Sequence, residues 1–276
     1  MEGRKRGTGT VLITGASSGI GKSTARLFAA RGWNVAATMR HPEREAELSR
    51  LPNVSLFSCD VTDYTSITRA VAEAIERFGR IDVLVNNAGY DAAGPLEGAT
   101  EEQVRRQIET NLTGTILMTK ALVSCFRRAG GGTIVNISSV AGRLAMPLQS
   151  LYHATKWGVE GFSESLQYEL APFGIHVRMI EPGLIDTDFY ERSMTRTDAA
   201  APEEYRASAG RALDSLRNMG VRGSNPDCVA EAVFHAANSR GARLRYRVGK
   251  GSGVLVLQKF IPNRLFRALI ARFSAR

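Results

Sequence analysis

Apolar residues along this chain gather into short, strongly hydrophobic runs separated by longer stretches of helical period. Thr10-Val11-Leu12-Ile13 is the first run, without the polar alternation of a strand that faces water on one side. Similar runs follow at Asn34–Thr38, Val54–Ser58, Ile81–Val85, Thr133–Ile137 and Ile175–Ile180. Helical stretches cover residues 20–31, 64–78, 101–110, 112–128 and 152–170, and Gly32 and Gly79 act as stops. Strands alternating with helices predict an α/β fold, a doubly wound parallel sheet covered on both faces. The pattern divides the chain into one domain, residues 1–253, and a basic amphipathic extension, residues 254–276. Residues 188–225 break the rhythm. They hold no strand in this reading, and their small and charged residues suit a helical lid after the sixth strand.

Composition adds exclusions. The three cysteines, Cys59, Cys125 and Cys228, are far apart and match no metal spacing, and the four histidines form no metal pair. The chain therefore reads as a cytoplasmic, reducing-compartment protein without metal or disulfide, with Cys59 and Cys125 buried. No run approaches the roughly 20 apolar residues that span a bilayer. The basic N-terminus, Met1-Glu2-Gly3-Arg4-Lys5-Arg6, flows into the first strand rather than into a signal peptide. The net charge of +9 is uneven: no Asp or Glu follows Glu231, and ten Lys and Arg lie beyond it. The basic character belongs to the tail, which argues against a nucleic-acid-binding body.

Two features carry chemistry. The first strand runs into Thr14-Gly15-Ala16-Ser17-Ser18-Gly19-Ile20-Gly21 and then a helix. A glycine-rich turn there lets backbone N–H groups approach a phosphate at the positive helix end. Gly21-Lys22-Ser23 imitates the end of a nucleotide phosphate loop, but Ala16 stands where that motif needs glycine. The second feature is Tyr152-His153-Ala154-Thr155-Lys156, which places a phenol and an ammonium on one helical face. A phenol has a pKa near ~10, and a neighbouring cation draws it toward neutrality, where it can shuttle a proton.

The order of further motifs resembles the short-chain dehydrogenase/reductase family over about residues 8–190: Asp60-Val61, Asn86-Asn87-Ala88-Gly89, Asn111, Ile137-Ser138-Ser139, Tyr152-x-x-x-Lys156 and Pro182-Gly183. The chain is most similar to the branch holding 17β-hydroxysteroid and retinol dehydrogenases. The resemblance implies a Rossmann fold and a catalytic tetrad of Asn111, Ser139, Tyr152 and Lys156. Ser139, thirteen residues before Tyr152, would orient the substrate carbonyl. Tyr152 would act as acid or base, Lys156 would tune the phenol and hold the nicotinamide ribose, and Asn111 would anchor a relay water. For the cofactor it implies Gly15, Ser18, Gly19, Ile20 and Gly21 at the phosphate turn, with Ser17 adding a hydroxyl contact to a 2′-phosphate. Asp60 would meet the adenine ring and Asn87 the adenosine ribose, with Val61, Ala88 and Gly89 among the cofactor-binding residues. Thr187 would meet the nicotinamide amide, and Pro182, Gly183, Ile185, Tyr152 and Lys156 are also implied at the cofactor. Met39 stands where an NAD-selecting Asp would be and Arg40 follows, so NADP(H) is expected over NAD(H).

Tyr90, Leu144, Met146, Leu148 and Phe189, with Tyr190 and Met194 nearby, predict an apolar substrate lining. The expected activity is carbonyl reduction or alcohol oxidation on a hydrophobic, steroid-, retinoid- or lipid-like molecule. Reduction of 3-ketoacyl thioesters and a non-catalytic NADP(H)-sensing regulator are the alternatives. The family also implies a homodimer or homotetramer. The tail sets Phe260, Ile261, Leu265, Phe266, Leu269, Ile270 and Phe273 among basic residues. It suits packing on the body, a partner subunit or peripheral contact with a membrane.

Overall fold

The computed structural model describes residues 9–187, 189, 193–262, 264–266, 268 and 270. Seven parallel strands form its central sheet: β1 (Thr10–Thr14), β2 (Asn34–Met39), β3 (Val54–Ser58), β4 (Val83–Asn86), β6 (Gly132–Ile137), β7 (Ile175–Pro182) and β9 (Arg245–Val248). Their spatial order is β3-β2-β1-β4-β6-β7-β9. Helices α1 (Gly19–Ala30) and α7 (Asp227–Asn238) cover one face, and α2 (Tyr64–Phe78), α4 (Gly114–Arg128) and α5 (Ser150–Leu170) the other.

The two-residue period of the strands divides the core cleanly. Val11, Ile13, Val35, Ala37, Val83, Val85, Val135 and Ile137 join Phe28, Trp33 and Val233 on the α1/α7 side. Leu12, Ala36, Leu84 and Ile134 point the other way, onto Ile67, Met118, Leu122 and Phe126. Both faces of the sheet are thus dry, which is why these strands read as unbroken apolar runs. A buried polar thread crosses the second layer. Asn86 Nδ2 donates to Asn136 Oδ1 at 2.8 Å, and Asn136 Nδ2 donates to Ser163 Oγ at 2.8 Å. It ties β4 and β6 to α5, the helix that carries Tyr152 and Lys156.

The expected doubly wound fold is present, with three differences from the sequence reading. Residues 188–225 do contain a strand: β8 (Met194–Arg196) pairs in parallel with β5 (Asp91–Ala93), apart from the main sheet. Three residues interrupted by exposed polar side chains carry too little apolar pattern to announce a strand. The sheet also has a seventh strand, β9, whose sequence Arg-Tyr-Arg-Val is disguised by charge. Its arginines are matched instead by buried acids. Arg245 Nε lies 2.9 Å from Glu160 and 3.5 Å from Glu181, and Arg247 lies 3.6 Å from Glu181. Finally, Cys59 is buried but Cys125 is only half-buried. The lid region otherwise holds α6 (Glu203–Val221), whose Asp214 accepts from Arg196 on β8 at 2.8 Å, and residues of α3 (Glu101–Ile108) and of α6 both line the cleft.

Burial and the neighbouring Glu160 push the Glu181 carboxyl above its usual range. Removing Arg245 leaves that buried acid with weaker compensation, so Arg245→Met should destabilise the fold by about 3 kcal/mol near neutral pH. The penalty falls on the ionised form. It should be largest above the raised pKa and shrink as pH falls through it, which denaturant unfolding at pH 7.5 and pH 5 will measure.

Candidate active site

Strand order reverses between β1 and β4, and the carboxyl ends of the strands part there. A cleft of about 980 Å³ opens at this point. The glycine turn forms its floor. Gly15 has φ +65°, and a Cβ there would meet Ala88 Cα at 2.9 Å. A Cβ at Gly21 would fall 2.4 Å from the Gly15 carbonyl oxygen. The turn is therefore held as close to its neighbours as glycine permits.

Asn87 and Thr14 lock the two loops together. Thr14 Oγ1 accepts from the Asn87 and Ala88 N–H groups at 2.9 and 3.0 Å. Asn87 Nδ2 donates to the Thr14 and Gly15 carbonyls at 2.9 and 3.1 Å. Ser18 is the α1 N-cap, yet its side chain makes no capping bond. Lys22, the last part of the false phosphate loop, turns away and pairs with Glu45 at 3.1 Å and Glu47 at 2.9 Å.

The cleft brings together nearly all of the residues anticipated from sequence. Gly15, Ser17, Ser18, Gly19 and Ile20 line it, with Arg40, Asp60, Val61, Asn87, Ala88 and Gly89. Ser139, Tyr152, Lys156, Pro182, Gly183, Ile185 and Thr187 line it too, as do Tyr90, Leu144, Met146 and Phe189. Gly21, Asn111, Leu148 and Met194 are not among its lining residues. Gly21 instead packs beneath the turn, and Leu148 holds φ +65° with its carbonyl bonded to the Gly94 N–H. Tyr190 lies outside the described residues.

Asn111 sits in a π-turn, Glu109–Thr113, between α3 and α4. Its side chain clamps the loop after β4. Oδ1 accepts from Tyr90 N–H at 3.0 Å, and Nδ2 donates to the Tyr90 carbonyl at 2.8 Å. Its amide is thus engaged with the loop backbone, and its backbone carbonyl accepts from Thr115 Oγ1 at 3.0 Å.

The chemistry-bearing groups converge from β6 and α5. Ser139 Oγ accepts from Ala141 N–H at 3.1 Å, which leaves its own O–H to donate elsewhere. Lys156 is buried, donates to the Ile137 carbonyl at 2.8 Å, and has its ammonium 5.6 Å from the Tyr152 ring centre. Burial pulls its pKa down to about 8, against the opposing pull of Glu160 and Asp91. The Phe189 ring lies 6.1 Å from that of Tyr152.

His153 organises the adjoining loop. Nε2 accepts from Met146 N–H at 2.9 Å, and Nδ1 lies 2.8 Å from the Ala141 carbonyl. This is the neutral tautomer protonated at Nδ1, and burial lowers its pKa accordingly.

A match to the short-chain dehydrogenase family model spans residues 9–198. The chain belongs to the short-chain dehydrogenase family. It is 35% identical to a 3-ketodihydrosphingosine reductase of Bacteroides thetaiotaomicron, over 96% of this chain and 97% of that one. A short-chain dehydrogenase from Streptomyces avermitilis superposes with TM-score 0.82 and 32% identity, covering 96% and 97% of the two chains. A Brucella melitensis 3-ketoacyl-(acyl-carrier-protein) reductase complexed with NADH superposes with TM-score 0.73 and 28% identity, covering 88% and 98%.

One residue of this short-chain dehydrogenase escaped the sequence reading. Asp91 is fully buried behind Tyr90. Its Oδ2 accepts from Gln149 Nε2 at 2.5 Å, while Oδ1 has no partner among the described residues. Burial pushes its pKa up to about 7, with Gln149 and Lys156 pulling the other way. No motif marks it; only its position beside the cationic Lys156 reveals it. Asp91→Asn removes an anion that favours protonated Lys156, so the alkaline limb of the pH–rate profile should move to lower pH. Turnover at pH 8 should fall several-fold, while turnover at pH 6 stays within about twofold of the unmodified enzyme. Steady-state kinetics across that range is the check.

Proposed function

We propose that this oxidoreductase transfers a hydride between NADP(H) and the carbonyl or secondary alcohol carbon of a hydrophobic, lipid-like molecule. The observation that carries the reading is a single cleft in which Ser139, Tyr152 and Lys156 face the same space as the glycine turn, beside apolar Leu144, Met146 and Phe189. The turn fits a dinucleotide: its glycines bring backbone close, and the uncapped amino end of α1 suits a pyrophosphate. Once bound there, the nicotinamide supplies or accepts the hydride.

The chain's own groups handle the proton. Ser139 presents its O–H to the substrate oxygen and fixes the carbonyl. Tyr152 gives its phenolic proton to that oxygen in reduction and takes it back in oxidation. Lys156, held at the Ile137 carbonyl, keeps positive charge beside the phenol and stabilises its anionic form. Arg40, exposed at the end of β2, lines the cleft where an NAD-selective site would need a carboxylate, and its planar guanidinium suits a 2′-phosphate.

The lipid-like character is supported by the apolar lining and by the Bacteroides relative, whose name describes it as a reductase of a keto-sphingoid. Reduction of a 3-ketoacyl thioester on an acidic carrier is less favoured. Arg105 at the cleft rim is already matched by Glu101 at 2.7 Å. The convergence of Ser139, Tyr152 and Lys156 weighs against a purely sensing role. Exposed Trp157 and Tyr168 on α5 support self-association into a dimer or tetramer, and the cysteine usage supports a cytoplasmic setting.

Tyr152→Phe should lower turnover by at least about a thousandfold while NADPH affinity, read by fluorescence titration, changes less than about threefold. Substantial residual turnover would overturn the assignment. Cofactor oxidation should be followed with 3-ketodihydrosphingosine, steroids, retinoids and 3-ketoacyl thioesters. NADPH should outperform NADH in kcat/KM, and a hydrophobic ketone should outperform the thioesters. Equal use of NADH would refute the role of Arg40.

A further inference from the structure

The segment that follows β9 has two apolar sides. One side packs inward: Leu255 and Phe266 are buried with Leu144, and Val254, Ile261 and Ile270 surround them. The other side meets solvent. Val256 is 46%, Leu257 55%, Leu265 55% and Phe260 80% exposed, the last being the most exposed large apolar side chain among the described residues. A segment that merely capped the body would turn polar side chains outward. Four large apolar groups exposed within ten residues form a patch that water disfavours.

The charged residues of the segment itself have one sign. Lys250 and Arg264 are exposed along the same segment, and Lys250 Nζ donates to the carbonyl of exposed Arg222 at 3.2 Å. No acid follows Glu231 in the chain, and Asp186 lies two residues beyond the Leu184 that bridges to Lys250. Apolar side chains flanked by Lys and Arg are what the boundary of an anionic bilayer accommodates, with rings and aliphatic chains below the headgroups and cations at their level. No helix among the described residues is long and apolar enough to cross a membrane, so the contact is peripheral.

We propose that the outward face of residues 254–266 is a docking surface for an anionic lipid bilayer. Its inward face rests on Leu144 and reaches Met146, both of which line the cleft. Docking therefore brings the apolar side of the cleft to the membrane. Delivery of a lipid substrate by this route rests on the proposed function, whereas the docking itself does not.

The test is cosedimentation of the full chain with vesicles of phosphatidylglycerol and phosphatidylcholine in equal parts, and with phosphatidylcholine alone. A triple variant, Leu257→Ser, Phe260→Ser and Leu265→Ser, is compared in parallel, and thermal melting confirms that it folds. None of the three residues lines the cleft. The expected result is binding to the anionic vesicles that weakens at least about tenfold in the triple variant, on phosphatidylcholine alone and at high salt. Absence of binding to the anionic vesicles overturns the proposal, as does binding unaffected by the triple substitution. So does a face that proves to join two copies, seen as a dimer that the triple variant dissociates while the unmodified chain ignores vesicles. Because the readout is vesicle binding, failure of the hydride-transfer reading leaves this result intact, and the reverse.

Discussion

The arrangement depends on holding an ammonium in the dry crevice between β6 and α5. Removing a charge from water costs several kcal/mol unless neighbours compensate. Lys156 obtains that compensation from three directions: the Ile137 carbonyl at 2.8 Å, the Tyr152 ring face, and the carboxylates of Glu160 and Asp91. The compensation is incomplete, and so its pKa settles near 8. That incompleteness is useful. An amine held near its titration point responds to small changes in its surroundings, and one fully stabilised as a cation would not.

The rest of the site is positioned by clamps whose donors and acceptors are almost all backbone on one side. Thr14 and Asn87 join the glycine turn to the loop after β4, Asn111 grips Tyr90, and His153 ties Ala141 to Met146. Side chains that satisfy loop backbone remove conformational freedom from the segments that would meet ligands. The clamps also explain why Asn87 and Asn111 belong to a recognisable order of motifs: each is needed for loop geometry whatever else it touches.

The sheet and the cleft were legible in sequence because dry strands read as unbroken apolar runs and because the glycine turn, Ser139, Tyr152 and Lys156 have fixed spacing. What escaped was pairing at a distance. β9 looks polar until Glu160 and Glu181 are seen opposite its arginines. β8 exists only because β5 lies beside it. Asp91 looks like an ordinary turn acid, and its hydrogen-bond partner, Gln149, is far along the chain. The false phosphate loop was resolved in the same way, since Glu45 and Glu47 decide where Lys22 points.

These distant pairings connect the sheet edge to the chemistry. Glu160 lies one helical turn beyond Lys156 on α5 and favours its protonated form, yet the same carboxylate accepts from Arg245 on β9 at 2.9 Å. Arg245 also bonds Glu164 at 2.5 Å and lies near Glu181, which directly precedes Pro182 and Gly183 in the cleft wall. One arginine on the edge strand therefore holds a helix and a strand end that both reach the cleft. The segment leaving β9 carries Leu255 onto Leu144, so the edge strand is joined to the cleft by charge on one side and by apolar packing on the other. A displacement of β9 would alter the field at Lys156 and the wall at Leu144 together, which makes this strand a structural element of the site despite lying at the far edge of the sheet.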